Sequence, residues 1–153
     1  MRDNYWLNQR LAQIWELLFN EVPKQNNIKA IFRGKSRNKF GHIKLLKDSS
    51  TEIAVNSLFK SELVPEYIID LTLAHELVHY SHGFNSPLPK LHQHPHRGSI
   101  VERELIRRGF GEQSRKEKEF VKTQWPLIYR KLMPNVKRRR IVKYNSLFRF
   151  FRL

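Results

Sequence analysis

The sequence predicts an α+β fold, because helical and strand-like patterns occupy separate stretches of the chain. Residues 4–20 carry apolar side chains at helical spacing, and three short apolar segments follow between residues 28 and 56. Helical patterns return at residue 65 and continue to residue 133. We therefore expect an N-terminal helix, a small antiparallel sheet, and a series of helices of which the first packs on that sheet.

The N-terminal helix is predicted to be amphipathic. Its apolar positions are Leu7, Leu11, Ile14, Trp15 and Leu18. Asp3 or Asn4 can cap the first turn, and Pro23 lies beyond the last turn. We expect the apolar face, together with Trp6 and Phe19, to belong to the hydrophobic core.

Residues 28–32, 40–46 and 51–56 are the three predicted strands. The polar turn at residues 47–50 joins the second and third strands into a hairpin. Basic side chains crowd this region, namely Lys29, Arg33, Lys35, Arg37, Lys39, Lys44 and Lys47. We expect them to form the solvated side of the sheet, and contact with nucleic acid is the alternative interpretation.

Three helical segments are predicted after the sheet. The first spans residues 65–82, where the chain is apolar almost all the way round the helix, and it ends at Gly83. A loop rich in proline and histidine leads into the second segment, residues 98–108. The third segment covers residues 113–133, and Pro126 must interrupt or kink it.

The first of these helices contains the motif H-E-x-x-H at residues 75–79. His75 and His79 project from one face about one turn apart, so they can share a metal ion. Glu76 lies about 100° around the helix, beside that ion. Zinc lowers the pKa of a bound water to near 7, and a nearby carboxylate can take the proton as the water attacks a carbonyl. The motif therefore predicts a metal-activated water with Glu76 as its base.

A catalytic zinc site needs a third protein ligand, and a chain without cysteine must supply it from His, Asp or Glu. His96 is the preferred candidate, because it stands just before the second predicted helix and Ile100 anchors it one turn on. The alternatives are His82, His92, His94, Glu102 and Glu104. Histidines at 75, 79 and 82 of one helix would lie almost in line, which makes His82 a poor tetrahedral ligand.

The positive charge is concentrated near the C-terminus. Residues 1–114 hold 16 Lys and Arg against 12 Asp and Glu, whereas residues 115–153 hold 13 against two. The predicted nucleic-acid contacts are Lys137, Arg138, Arg139, Arg140 and Lys143. Aromatic residues between 144 and 151 could stack on unpaired bases while these cations neutralise phosphates. The alternatives are binding to an anionic membrane surface and simple packing of the aromatic rings on the domain.

Four segments together resemble the SprT-like zinc metalloproteases, the family of Spartan. They are IAVNSLF at residues 53–59, Pro65, HELVH at residues 75–79 and HRGSI at residues 96–100. The resemblance covers residues 28–110. The glycine that follows the third histidine stands two residues after His96 instead of next to it, so His94 stays open as an alternative third ligand.

The resemblance implies a zincin-like metalloprotease in which His75, His79 and His96 bind one Zn²⁺ ion and Glu76 is the general base. It also implies protein substrates bound or crosslinked to DNA, and a role in DNA–protein crosslink repair. The cysteine-based zinc ribbon of many relatives is missing, so the basic tail is the expected contact with single-stranded or damaged DNA. We divide the chain into a protease domain at residues 1–133 and a basic aromatic tail at residues 134–153.

Two other functions compete with this interpretation. One is a DNA-binding module that uses zinc as a structural brace, and the other is a zinc hydrolase of a non-protein substrate. No apolar run approaches the roughly 20 residues that a membrane span needs, and the N-terminus lacks the pattern of a signal peptide. We therefore expect a cytoplasmic protein without a transmembrane segment.

Overall fold

The computed structural model describes residues 2–136 and has the α+β architecture that the sequence predicts. Its helices are α1 Asn4–Leu18, α2 Glu66–Ser81, α3 Ile100–Leu105, α4 Gly111–Thr123 and α5 Trp125–Leu132, and its strands are β1 Ile28–Phe32, β2 Gly41–Leu45 and β3 Thr51–Val55. Short 3-10 turns at Ser57–Lys60 and Arg97–Ser99 precede α2 and α3. No helix between residues 2 and 136 is long and apolar enough to cross a bilayer.

The sheet is mixed, so the prediction of a wholly antiparallel sheet is wrong. The strand order is β1-β3-β2, with β1 parallel to β3 and β2 antiparallel to β3. The tight turn after β2 produces the predicted hairpin with β3. Residues 33–40 connect β1 to β2, which are consecutive in the chain, and β3 lies between these two strands in the sheet. The sequence pattern identifies strands, but it carries no information about which strand inserts between two others.

Helix α1 covers the outer edge of β1 with asparagine side chains. Asn4 accepts a hydrogen bond from the Phe32 amide at 2.9 Å, and Asn8 accepts one from Ala30 at 2.9 Å and donates to its carbonyl at 2.7 Å. The helix begins with Asp3 as its cap, which accepts from the Trp6 amide at 2.8 Å as predicted. The strand order makes β2 the other edge of the sheet, and these asparagines do not cover it.

Helix α2 is the central element of the core. Twelve of its sixteen residues are buried, because α1, β2, β3, α3 and α4 all pack against it. Its one partly exposed aspartate, Asp70, receives two hydrogen bonds from the Arg10 guanidinium of α1. Polar side chains on a helix enclosed in this way need hydrogen-bond partners within the protein or a bound ligand, because burying them unpaired costs free energy.

The helices after the site differ from their predicted bounds. The predicted helix at residues 98–108 is shorter, because α3 ends at Leu105 and a wide turn through Gly109, at φ +94°, leads directly into α4. Pro126 interrupts the third segment as predicted and lies in the first turn of α5. Trp125 anchors this end of the chain by packing edge-on against Phe40 and Phe59.

Helix α4 contains a buried carboxyl group, that of Glu117. Glu117 is 6% exposed, and its Oε1 atom has no hydrogen-bond partner among the described residues. Burial raises the pKa of Glu117 from an ordinary value of 4.5 to about 8. Of the nearby charges, Lys118 lowers this pKa and Glu102 raises it. Burial, followed by the charge of Glu117, raises the pKa of the Tyr67 phenol of α2. Glu117 is therefore protonated in the folded chain at neutral pH.

The wild type should lose free energy of unfolding as the pH rises, because Glu117 is buried in its protonated form. We expect the Glu117→Gln variant to lack this pH-dependent loss. The folded chain keeps a proton that the unfolded chain releases above about 4.5, so the free energy of unfolding falls between pH 4.5 and 8 and levels off above. Urea denaturation should show the variant gaining on the order of 2–4 kcal/mol over the wild type across this range. Glu119→Gln, an exposed position on the same helix, is the control and should follow the wild type. Parallel curves for wild type and Glu117→Gln would contradict the assignment.

Candidate metal centre

Two imidazoles of α2 face each other inside the core. The Nε2 atoms of His75 and His79 lie 3.1 Å apart, and their ring centroids are 4.8 Å apart. His75 is 4% exposed and His79 is 1% exposed. The i, i+4 spacing places both rings on one face of the helix, as the motif predicts.

His96 completes a cluster of three imidazoles. Its ring stacks beside His75 at a centroid distance of 5.7 Å and meets His79 edge-on at 4.7 Å. One potential ligand atom from each of the three residues lies within 4.8 Å of the others. Both ring nitrogens of His96 and the Nδ1 atom of His79 are buried without a hydrogen-bond partner in the described part of the chain. The predicted convergence of three histidines is therefore present in the fold.

A helix-ending turn starts the path that returns His96 to the cluster. The Phe84 amide donates to the His79 carbonyl at 2.9 Å and the Gly83 amide donates to Tyr80 at 3.0 Å, which is a Schellman motif. Gly83 has φ +78°, and a Cβ there would lie 2.3 Å from the Pro89 carbonyl oxygen. Only glycine fits this turn, which confirms the predicted end of α2.

The segment after this turn is held at several points. Ser86 donates to the Tyr80 carbonyl at 2.7 Å, and Thr51 of β3 donates to the Asn85 carbonyl at 3.1 Å. Past His96, the left-handed pair Gly98 and Ser99, at φ +65° and +57°, turns the chain into α3. The buried residues Val101 and Leu105 then pack α3 against α2. His96 is thus positioned by contacts on both sides of it.

The three imidazoles are neutral in the folded protein. Burial, followed by repulsion from the other two rings, lowers the pKa of His75 well below 6.5. Burial also lowers the pKa of His79 to about 3 and lowers the pKa of His96. Neutral imidazoles keep a lone pair for a metal, and tetrahedral zinc with Zn–N bonds near 2.0–2.1 Å places its ligand nitrogens about 3.3 Å apart. The three residues therefore fit a zinc ion.

Glu76 is the carboxyl group next to this cluster in sequence. It is 1% exposed, and its Oε1 atom has no hydrogen-bond partner within residues 2–136. Burial raises the pKa of Glu76 from 4.5 to about 8, and the positive charge of Lys39 partly opposes the rise. A group with this pKa is mostly protonated at neutral pH, and the charge of a bound Zn²⁺ would lower the pKa and favour the carboxylate that a general base needs.

Gly41, which the sequence analysis did not single out, lies against Glu76. A Cβ at Gly41 would be 3.2 Å from the Glu76 Oε1 atom and 2.6 Å from the Thr72 side chain. Gly41 is the first residue of the edge strand β2. Because glycine has no side chain, this strand can lie close to the Glu76 carboxyl group. A glycine within a strand pattern is a known signal of close approach, and it was available in the sequence.

No protein-family model, curated protein or solved structure matches this chain.

The other candidate ligands have different surroundings. Glu104 accepts hydrogen bonds from Arg107 and Arg108, and Glu102 pairs with Lys118. His94 is exposed and is not part of the cluster of ligand atoms found among residues 2–136. His82 ends α2, and His92 lies beside it.

The predicted nucleic-acid contacts belong to the basic C-terminal tail. Lys137, Arg138, Arg139, Arg140 and Lys143 lie outside the described residues. Of the basic residues near the sheet, Lys29 and Arg33 pair with the buried carboxylate of Glu52. This pairing agrees with the interpretation of these two cations as part of the solvated side of the sheet.

Proposed function

We propose that this chain is a zincin-like, zinc-dependent metalloprotease. The observation that carries the proposal is the convergence of His75, His79 and His96, together with the adjacent residue Glu76, whose buried Oε1 atom has no hydrogen-bond partner among residues 2–136. A hydrophobic core gains nothing from three imidazoles and an unpaired acid, since each costs desolvation free energy. Functional sites commonly carry such a desolvation cost, because their buried ionisable groups bind a ligand or take part in a reaction.

Each residue of the cluster has a role in this proposal. His75, His79 and His96 would hold one Zn²⁺ ion, which supplies a Lewis acid and lowers the pKa of water when bound. Glu76 accepts a proton at its carboxylate from the water that attacks the peptide carbonyl, and it returns this proton to the leaving amine as the C–N bond breaks. Enclosure of Glu76 by the core excludes bulk water, so its proton is exchanged within the site.

The neighbouring edge strand favours a peptide as the substrate. Strand β2 lies at the edge of the sheet, and Gly41 brings it beside Glu76. An extended peptide can add to such an edge through main-chain hydrogen bonds, independently of its side chains. The opposite edge, β1, is covered by Asn4 and Asn8. The edge that these asparagines leave uncovered is β2, the strand next to the proposed catalytic base.

We extend the proposal to proteins bound or crosslinked to DNA, on the strength of the resemblance to SprT-like proteases and the basic tail. A structural zinc site is closed by four protein ligands, whereas the described residues bring three together, which does not favour the DNA-binding module with a zinc brace. No feature of the described residues specifically favours a non-protein substrate.

The test is cleavage of casein and of a basic DNA-bound protein, with and without single-stranded DNA. We expect zinc chelation to stop both reactions and added Zn²⁺ to restore them. If the five tail cations contact phosphates, raising salt from about 50 to 200 mM should weaken DNA affinity by about 100-fold and remove stimulation by DNA.

The matched control replaces Lys137, Arg138, Arg139, Arg140 and Lys143 by glutamine. This variant should still cleave casein but should lose the stimulation by DNA. Absence of any zinc-dependent cleavage in the wild type would refute the protease proposal. Undiminished stimulation of the variant would refute the role of the tail.

A further inference from the structure

A second pair of histidines lies at the C-terminal end of α2. His82 ends the helix, and its ring lies 4.7 Å from the ring of His92, at an interplanar angle of 76°. His82 is 7% exposed, and its Nδ1 atom is buried without a hydrogen-bond partner among the described residues. The proposed function uses neither residue.

The backbone holds these two rings together. The Leu91 amide donates to the His82 carbonyl at 3.0 Å, which fixes the residue before His92 against the helix end. The turn at Gly83 and the hydrogen bond from Ser86 to Tyr80 close the intervening loop. The folded loop therefore brings the backbones of His82 and His92 together.

The pair has the ring geometry of one pair in the three-histidine cluster. His79 and His96 have a ring distance of 4.7 Å and an angle of 77°, almost the same values as His82 and His92. Burial and the nearby charge of His92 lower the pKa of His82, so its imidazole is neutral. Glu104, whose charge raises the pKa of His82, accepts hydrogen bonds from Arg107 and Arg108.

We propose that His82 and His92 form a second metal-binding site for a divalent ion that imidazole prefers, such as Zn²⁺ or Cu²⁺. Two ring nitrogens supply the protein ligands, and water completes the coordination. The site joins the end of α2 to the segment that leads to His96, four residues further along the chain. Its occupancy braces the loop at residues 83–92.

The test titrates metal-free protein with Zn²⁺ and counts the bound ions by calorimetry or equilibrium dialysis. We expect wild type to bind two ions, the second more weakly because it has two histidine ligands. His92→Ala should weaken the second ion by at least about tenfold and leave the first unchanged. His94→Ala is the matched control, since it removes an exposed histidine of the same segment, and it should still bind two ions.

Hydrogen exchange provides an independent measurement. Binding of the second ion should slow the exchange of amides in residues 83–92 of wild type and of His94→Ala, but not of His92→Ala. A wild type that binds one ion, or a second ion that survives His92→Ala, overturns the proposal. His96→Ala separates the two sites, because it should weaken the tighter binding by more than about 100-fold and leave the weaker binding intact.

Discussion

Glu76→Gln is expected to lower the rate of peptide cleavage by about 100- to 10,000-fold, the usual contribution of a general acid–base group. The amide has nearly the shape of the carboxyl group but cannot accept the proton. Burial already favours the neutral form of Glu76, so the neutral glutamine should leave the fold intact. The measurement is the initial rate of casein cleavage together with the zinc content of each preparation, which should not change.

Glu66→Gln is the control for this experiment. Glu66 lies in the first turn of the same helix with its side chain 57% exposed, so its replacement should leave the cleavage rate close to wild type. If Glu76→Gln keeps more than about a tenth of the wild-type rate, Glu76 is not the general base. In that case the zinc site could still be present, since metal binding does not require this carboxylate.

His96→Ala is expected to weaken zinc binding by more than about 100-fold, because loss of a ligand costs more than loss of an outer partner. The variant keeps His75 and His79, which α2 alone holds together. Competition with a fluorescent zinc chelator measures the affinity of the tighter site. His96 lies in a surface segment, so the substitution should cost the fold less than a change within α2.

His94→Ala is the matched variant for zinc affinity. His94 is two residues away, exposed and outside the three-histidine cluster, so its removal should leave the tighter site at wild-type affinity. Equal losses in both variants would mean that the two positions exchange as ligands. A loss in His94→Ala alone would assign the third ligand to His94.

Several elements were predictable because they depend on neighbours in the chain. The apolar pattern and Gly83 located α2 to within a residue or two, and Asp3 was identified as one of two possible caps. Pro126 separated α4 from α5 as expected. Local backbone preferences decide these features, so a sequence window contains the information. The course of the chain through Gly109 was missed, because a glycine can either end a helix or carry the chain into the next one.

The sequence by itself determined that His75 and His79 share a face and that Glu76 stands beside them, since a helix sets these relations within five residues. Only the tertiary structure decided that His96 joins them, that β3 separates β1 from β2, and that Gly41 lies against Glu76. These relations depend on how loops close and which surfaces pack. The free energy of this packing comes from contacts between residues far apart in the chain, so no short sequence window contains it. A local pattern therefore encodes the relative positions of His75, Glu76 and His79, whereas tertiary packing brings His96 to them.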